Sequence, residues 1–229
     1  MCIVIVKDKK APWPSYEAVA EASLRNPDGF AAAWNEGGVL KTYRTLRRKD
    51  FLKMYVRLVA RLAAVDTGCV IHCRIMTHGS KKIQNCHCWT GSGMAFAHNG
   101  VLRDIDPRGD MTDSETFFRD VFQPVLAGCG WCVADKVARL AAGGSSSKFA
   151  FIDAAGNVRM YGQYVQDGGV YYSNRSYKKI EIEYDKFSFK GGWLPCGGHI
   201  AGAGLGDYPG ECREPLRGVA LACGVEDWE

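Results

Sequence analysis

A cysteine stands at position 2, directly behind Met1 and ahead of the apolar run Ile3-Val4-Ile5-Val6. Methionine is readily trimmed before a small residue, and its loss leaves Cys2 with a thiol and a free α-amine on one residue. That pair is a nucleophile with a built-in base. The plain alternative is a packing thiol in a first β-strand, since free cysteine is among the most buried residue types. An amide-cleaving thiolate needs partners, and residues of the right types occur further along. Asn99 and Gly100 offer a side-chain amide beside a glycine N–H, a natural donor pair for a developing oxyanion. Arg74 carries the forked guanidinium that suits an α-carboxylate, and Asp113 the carboxylate that suits an α-ammonium. Each also has an ordinary reading: Asn-Gly as a turn, Asp113 or Ser114 as a helix N-cap, Arg74 as a surface cation. The combination carries the chemical reading.

Four of the five histidines (His72, His78, His87 and His98) fall between residues 72 and 98, with Cys73, Cys86 and Cys88 among them. On an extended strand His72 and Arg74 share one face and Cys73 the other. No spacing there matches the paired Cys-x2-Cys and His-x3-His pattern of a zinc site, and no metal or cofactor is expected. Cys129-Gly130-Trp131-Cys132 has the two-residue spacing, and Cys196 with His199 offers a second half. Without a βαβ context, packing thiols are the preferred reading of Cys129 and Cys132.

Four blocks occur in order: Met1-Cys2, HCRIMTHGS at 72–80, AHNGVL at 97–102 and TDSETF at 112–117. Together they resemble the signature blocks of the class II glutamine amidotransferase domain, an N-terminal-nucleophile hydrolase. The later KFAFIDAAGNVRMYG and YYSN stretches resemble the back half of small, stand-alone members. The resemblance implies Cys2 as nucleophile once Met1 is lost, with its own α-amine as general base. It implies that Arg74 grips the α-carboxylate of L-glutamine, that Thr77 and His78 shape the same loop, and that Asp113 holds the α-amino group. Asn99 and Gly100 become the oxyanion hole. Ile75 stands where some sugar-forming members carry an aromatic residue, so that subfamily's pocket does not transfer. The fold implied is α+β, a four-layer αββα sandwich of two antiparallel sheets. Residues 1–190 would form the domain, and 191–229 a Gly/Cys-rich tail packed on it. No block of synthase size follows in the 229 residues, so the ammonia acceptor is expected on a separate synthase partner. A stand-alone hydrolase of γ-glutamyl amides or peptides is the alternative reading, and a catalytically silent binding module a third.

The elements that must position these residues are visible in the patterning. Ile3 to Val6 is short and β-branched, a buried strand. A helix is expected from Ala11 to Leu24, a strand pair from Phe30 to Trp34 and Gly38 to Thr45, and a helix capped by Asp50 running to Ala64. Strands are expected at Cys69–Met76 and Gly93–Leu102, then helices at Ser114–Leu126 and Val133–Ala142. After the Gly143–Ser147 break come strands at Lys148–Asp153, Val158–Gly162 and Val170–Ser173, with Ile180–Phe189 as an edge. Blocks of strands and helices favour antiparallel sheets with helical layers over a doubly wound sheet.

The bulk numbers exclude several classes. With 29 basic and 25 acidic residues the net charge is +4, which argues against a dedicated nucleic-acid or membrane surface; the basic run Arg44–Lys53 is read as a solvated helix face. MCIVIVKDKK meets charge too early for a signal peptide, and no apolar run approaches the ~20 residues of a membrane helix. The 10 cysteines are accordingly read as reduced thiols of a cytoplasmic protein.

Overall fold

The computed structural model describes residues 2–76 and 80–179. Among the described residues, ten strands form two antiparallel sheets. The larger has the order β3(Val39–Thr45)-β2(Gly29–Glu36)-β4(Cys69–Arg74)-β1(Ile3–Lys7)-β10(Val170–Tyr172)-β9(Val165–Asp167), and the smaller β5(Trp89–Gly91)-β6(Met94–Asn99)-β7(Lys148–Asp153)-β8(Val158–Tyr161).

Period-2 alternation decides how the layers stack. In β1, Ile3 and Ile5 pack with Phe30, Phe51, Tyr55 and Ile71 under helices α1(Tyr16–Arg25) and α2(Arg48–Leu62). Val4 and Val6 point the other way, into a layer of small side chains that includes Ala31, Ala33, Ala95, Ala97 and Ala150. These let the two sheets pack face to face. The outer face of the smaller sheet is aromatic: Phe96, Phe149 and Phe151 meet Phe117, Phe118 and Phe122. Those three phenylalanines arrive on a helical run made of α3(Asp113–Thr116), a π-helical stretch Phe117–Phe122 and α4(Gln123–Ser145). The result is the expected four-layer αββα sandwich of two antiparallel sheets.

Several boundaries differ from expectation for identifiable reasons. Helix α1 starts at Tyr16, not Ala11, because Pro12 and Pro14 hold the preceding residues out of a helix and the Ser15 side chain caps the first turn by accepting from the Ala18 N–H at 3.1 Å. Helix α2 starts at Arg48, so Asp50 is not the cap. It sits inside the first turn, where a carboxylate still meets the positive helix end, and pairs with Arg47 at 3.3 Å. The expected pair of helices after residue 113 is one run broken by Gly130, whose φ of 71° and ψ of 180° are non-helical. Cys129 and Cys132 flank that break and are exposed, so they are not packing thiols; Trp131 between them turns inward against Phe122 and Phe151. The expected strand Ile180–Phe189, the tail 191–229, and Cys196 and His199 lie outside the described residues. No helix among the described residues is long and apolar enough to cross a membrane.

Candidate active site

The register of the larger sheet brings the first two site residues together. Ile3 pairs with Cys73 and Val4 with His72 across the antiparallel β1/β4 ladder. Cys2 and Arg74 each lie one residue beyond the pair of Ile3 and Cys73, and the Cys2 thiol reaches the carbonyl of Ile75. The two strands are neighbours at the centre of their sheet, so the pair is held from both sides. Gly100 arrives from the other sheet, directly after β6. It adopts φ 153°, and a Cβ there would lie 2.4 Å from Ser147 Oγ and 2.8 Å from His98 Nε2. Only glycine fits the turn by which the chain leaves the sheet.

Cys2, Arg74, Gly100 and Asp113 line one cavity of about 490 Å³, within the range of small-molecule sites. Its wall continues through Ser80, Asn85, His87, His98 and the loop from Val101 to Thr112. Asn99 is fully buried behind this wall: its Nδ2 donates to Ser173 Oγ at 2.9 Å, while its Oδ1 has no partner among the described residues. Thr77 and His78 lie outside the described residues.

The Cys2 thiol donates to the Ile75 carbonyl at 3.6 Å. Burial pushes its pKa up, with the Arg74 charge among the influences acting against that rise. The thiol is therefore protonated at neutral pH and needs a base to react. Two residues directly after β10 complete its surroundings. Asn174 donates its side-chain amide to the Cys2 carbonyl at 2.7 Å, and Ser173 Oγ accepts the Val4 N–H at 2.8 Å. Both belong to the YYSN stretch, but neither was singled out by type, since Ser and Asn after a strand read as ordinary turn residues.

Arg74 is no surface cation. It is buried, and its Nη1 donates to the Ser80 carbonyl at 2.9 Å, which fixes the guanidinium along the cavity wall. Asp113 is not the helix cap either; Thr112 takes that place by accepting from the Glu115 N–H. The Asp113 carboxylate instead accepts from the Leu102 N–H at 2.7 Å and from the Ser114 N–H at 2.7 Å, tying the 100–102 turn to α3. Each carboxylate oxygen has two lone-pair sites, so Oδ2 keeps acceptor capacity toward the cavity.

Three histidines cluster here: His87 and His98 line the cavity, and His72 does not. His72 and His87 stack with ring centroids 3.7 Å apart and planes 4° from parallel, and His98 lies 6.4 Å beyond His87. His98 is bonded at both nitrogens, to Ser114 Oγ at 2.7 Å and Ser147 Oγ at 2.8 Å, whereas neither nitrogen of His72 has a partner among the described residues. Burial lowers the pKa of all three, His98 to about 4 despite the opposing charge of Asp113. No group of three or more metal-ligating side chains with metal-site geometry occurs among the described residues.

No family model and no curated protein matches the chain. Solved structures do. One is a glutamine phosphoribosylpyrophosphate amidotransferase from B. subtilis complexed with ADP and GMP: 14% identity, TM-score 0.44, 75% of this chain and 41% of that one. Another is described as the allosteric regulatory enzyme of purine biosynthesis, at 15% identity and TM-score 0.45, with the same coverage of 75% and 41%. A third is a glutamine aminotransferase class-II domain protein from Silicibacter pomeroyi, at 17% identity and TM-score 0.35, over 67% of this chain and 73% of that one. The chain thus spans about two fifths of the first two.

Proposed function

We propose that the chain is a class II glutamine amidotransferase domain with the N-terminal-nucleophile hydrolase fold, hydrolysing the side-chain amide of glutamine once Met1 has been removed. The observation that carries this reading is convergence: Cys2, Arg74, Gly100 and Asp113, from four separate stretches, line one cavity. In this reading the Cys2 α-amine, with an ordinary pKa near ~8, takes the thiol proton. The sulfur attacks the glutamine Cδ while the Arg74 fork holds the α-carboxylate and Asp113 the α-ammonium. Charge developing on the amide oxygen is met by the Gly100 N–H and the Asn99 side chain. The nitrogen leaves as ammonia after taking a proton from the α-ammonium of Cys2. Water, deprotonated by the returned amine, then cleaves the γ-glutamyl thioester to give glutamate.

The acceptor of the ammonia is a separate synthase partner in this account. A second reading, hydrolysis of a γ-glutamyl amide or peptide, is favoured by one feature. The cavity, about 490 Å³ and lined further by Ile105, Asp106, Pro107 and Asp110, has room for more than a glutamyl group. Assaying the Met1-free protein for glutamate release from glutamine and a panel of γ-glutamyl compounds tests both. Preference for glutamine supports the amidotransferase, preference for a larger γ-glutamyl compound supports the second reading, and no turnover of any of them refutes both.

A further inference from the structure

Ser173 directly follows β10 and is buried. Its Oγ meets two elements of the proposed site: the N–H of Val4, two residues from the nucleophile, and the side-chain amide of Asn99, at the end of β6 in the opposite sheet. A serine hydroxyl accepts through its lone pairs and has one proton to donate. As the amide stands, Ser173 accepts from both Val4 and Asn99, no described group accepts the hydroxyl proton, and Asn99 Oδ1 is buried without a partner among the described residues. The two ends of a carboxamide have the same shape, so its orientation is decided by the hydrogen-bond network. Turned by 180°, Oδ1 accepts the Ser173 proton. Ser173 still accepts from Val4, and Nδ2 takes the position of the unpartnered oxygen. The unmatched end is then a buried donor, unfavourable until a ligand oxygen meets it.

We infer that Ser173 is a positioning residue: its hydroxyl holds the Asn99 amide with the NH2 turned toward the developing oxyanion, and fixes that donor to the strand of the nucleophile. This rests on the glutamine-hydrolysis reading above. It accounts for a buried amide with one unmatched end and a serine with an unused proton by a single rotation.

The test is steady-state glutaminase kinetics of the full, Met1-free chain, normalised to active sites by thiol titration with a glutamine-like electrophile. Ser173→Ala should lower kcat by about 10- to 100-fold, the scale of a misplaced catalytic donor, with KM for glutamine changed less than about threefold. Ser173→Thr, which keeps the hydroxyl, should recover most of that loss. Asn99→Asp keeps an acceptor for the Ser173 proton and removes the NH2, so it should fold and lose at least ~100-fold in kcat. Phe151→Leu, which loosens the aromatic layer away from the site, controls for stability and should keep its kcat. Ser173→Ala with wild-type kcat per active site, or Asn99→Asp with kcat within threefold of wild type, overturns the inference while leaving the glutamine reading intact. A wild-type chain without glutaminase activity removes that reading, and this inference with it.

Discussion

His72 and His87 stack face to face at 3.7 Å in the interior, and both have pKa values pushed well below the ordinary imidazole range, chiefly by burial. Two adjacent rings in low dielectric cannot both charge, and the Arg74 cation further disfavours protonation of either. Both are neutral in the native state, as is His98 with its pKa near 4.

An acid instability follows, and its sign is fixed. Below pH ~6.5 the unfolded chain binds protons at these three positions while the folded chain does not, so stability falls as pH falls. The loss grows from about pH 6.5 and, for His98, levels off near 4. Thermal unfolding between pH 7.5 and 4.5 should show this slope. His72→Phe should flatten it by about one proton, because a ring without nitrogens replaces one whose nitrogens have no partner among the described residues. An unchanged slope would mean that His72 titrates with its ordinary pKa.

Arg74→Lys keeps the charge and removes the fork. The expected result is a rise in KM for glutamine of about 10- to 100-fold with a smaller change in kcat, the scale of a charge-assisted hydrogen bond. Steady-state kinetics decide it. A KM within twofold of wild type would take the α-carboxylate away from Arg74.

Gly100→Ala places a Cβ 2.4 Å from Ser147 Oγ at a φ of 153°. Moving the Gly100 N–H should cost kcat about 100- to 1000-fold. Ser147→Gly in the same chain removes the Oγ contact but leaves the 2.8 Å approach to His98 Nε2 and the backbone angle, so it should restore only part of the rate. Full restoration would assign the defect to crowding alone.

The aromatic layer carries stability rather than chemistry. Phe151 is 2% exposed and touches Phe96, Phe122, Trp131 and Tyr161 with ring centroids between 4.4 and 6.3 Å. Phe151→Ala should cost about 3–5 kcal/mol in denaturant unfolding, with kcat per folded molecule unchanged.

The elements legible in the sequence were those whose pattern has one physical meaning. The short β-branched run at Ile3 and the alternation of small and large apolar residues along β6 read as strands, and both are buried on both faces. Cys2, Arg74 and Asp113 could be singled out because few residue types suit the chemistry proposed for them. Strand β9 was not: Val165–Asp167 is a three-residue, largely exposed edge with no apolar alternation to mark it. Gly130 hid the continuity of α4, because a glycine between cysteines reads as a turn when only its own conformation departs from the helix. Ser173 and Asn174 were illegible for a different reason. Their roles exist only through the β1–β10 pairing, 169 and 172 residues apart in sequence, which no local pattern encodes.

The central claim is that Cys2 is the nucleophile of a glutamine site, and intact-mass analysis with a glutamine-like alkylating electrophile tests it most directly. The account predicts a chain lacking Met1 that takes up one adduct, mapped to Cys2 and suppressed by excess glutamine, while exposed Cys129 and Cys132 remain unlabelled. Retention of Met1 with no adduct at Cys2, or labelling spread over other cysteines and indifferent to glutamine, would contradict it.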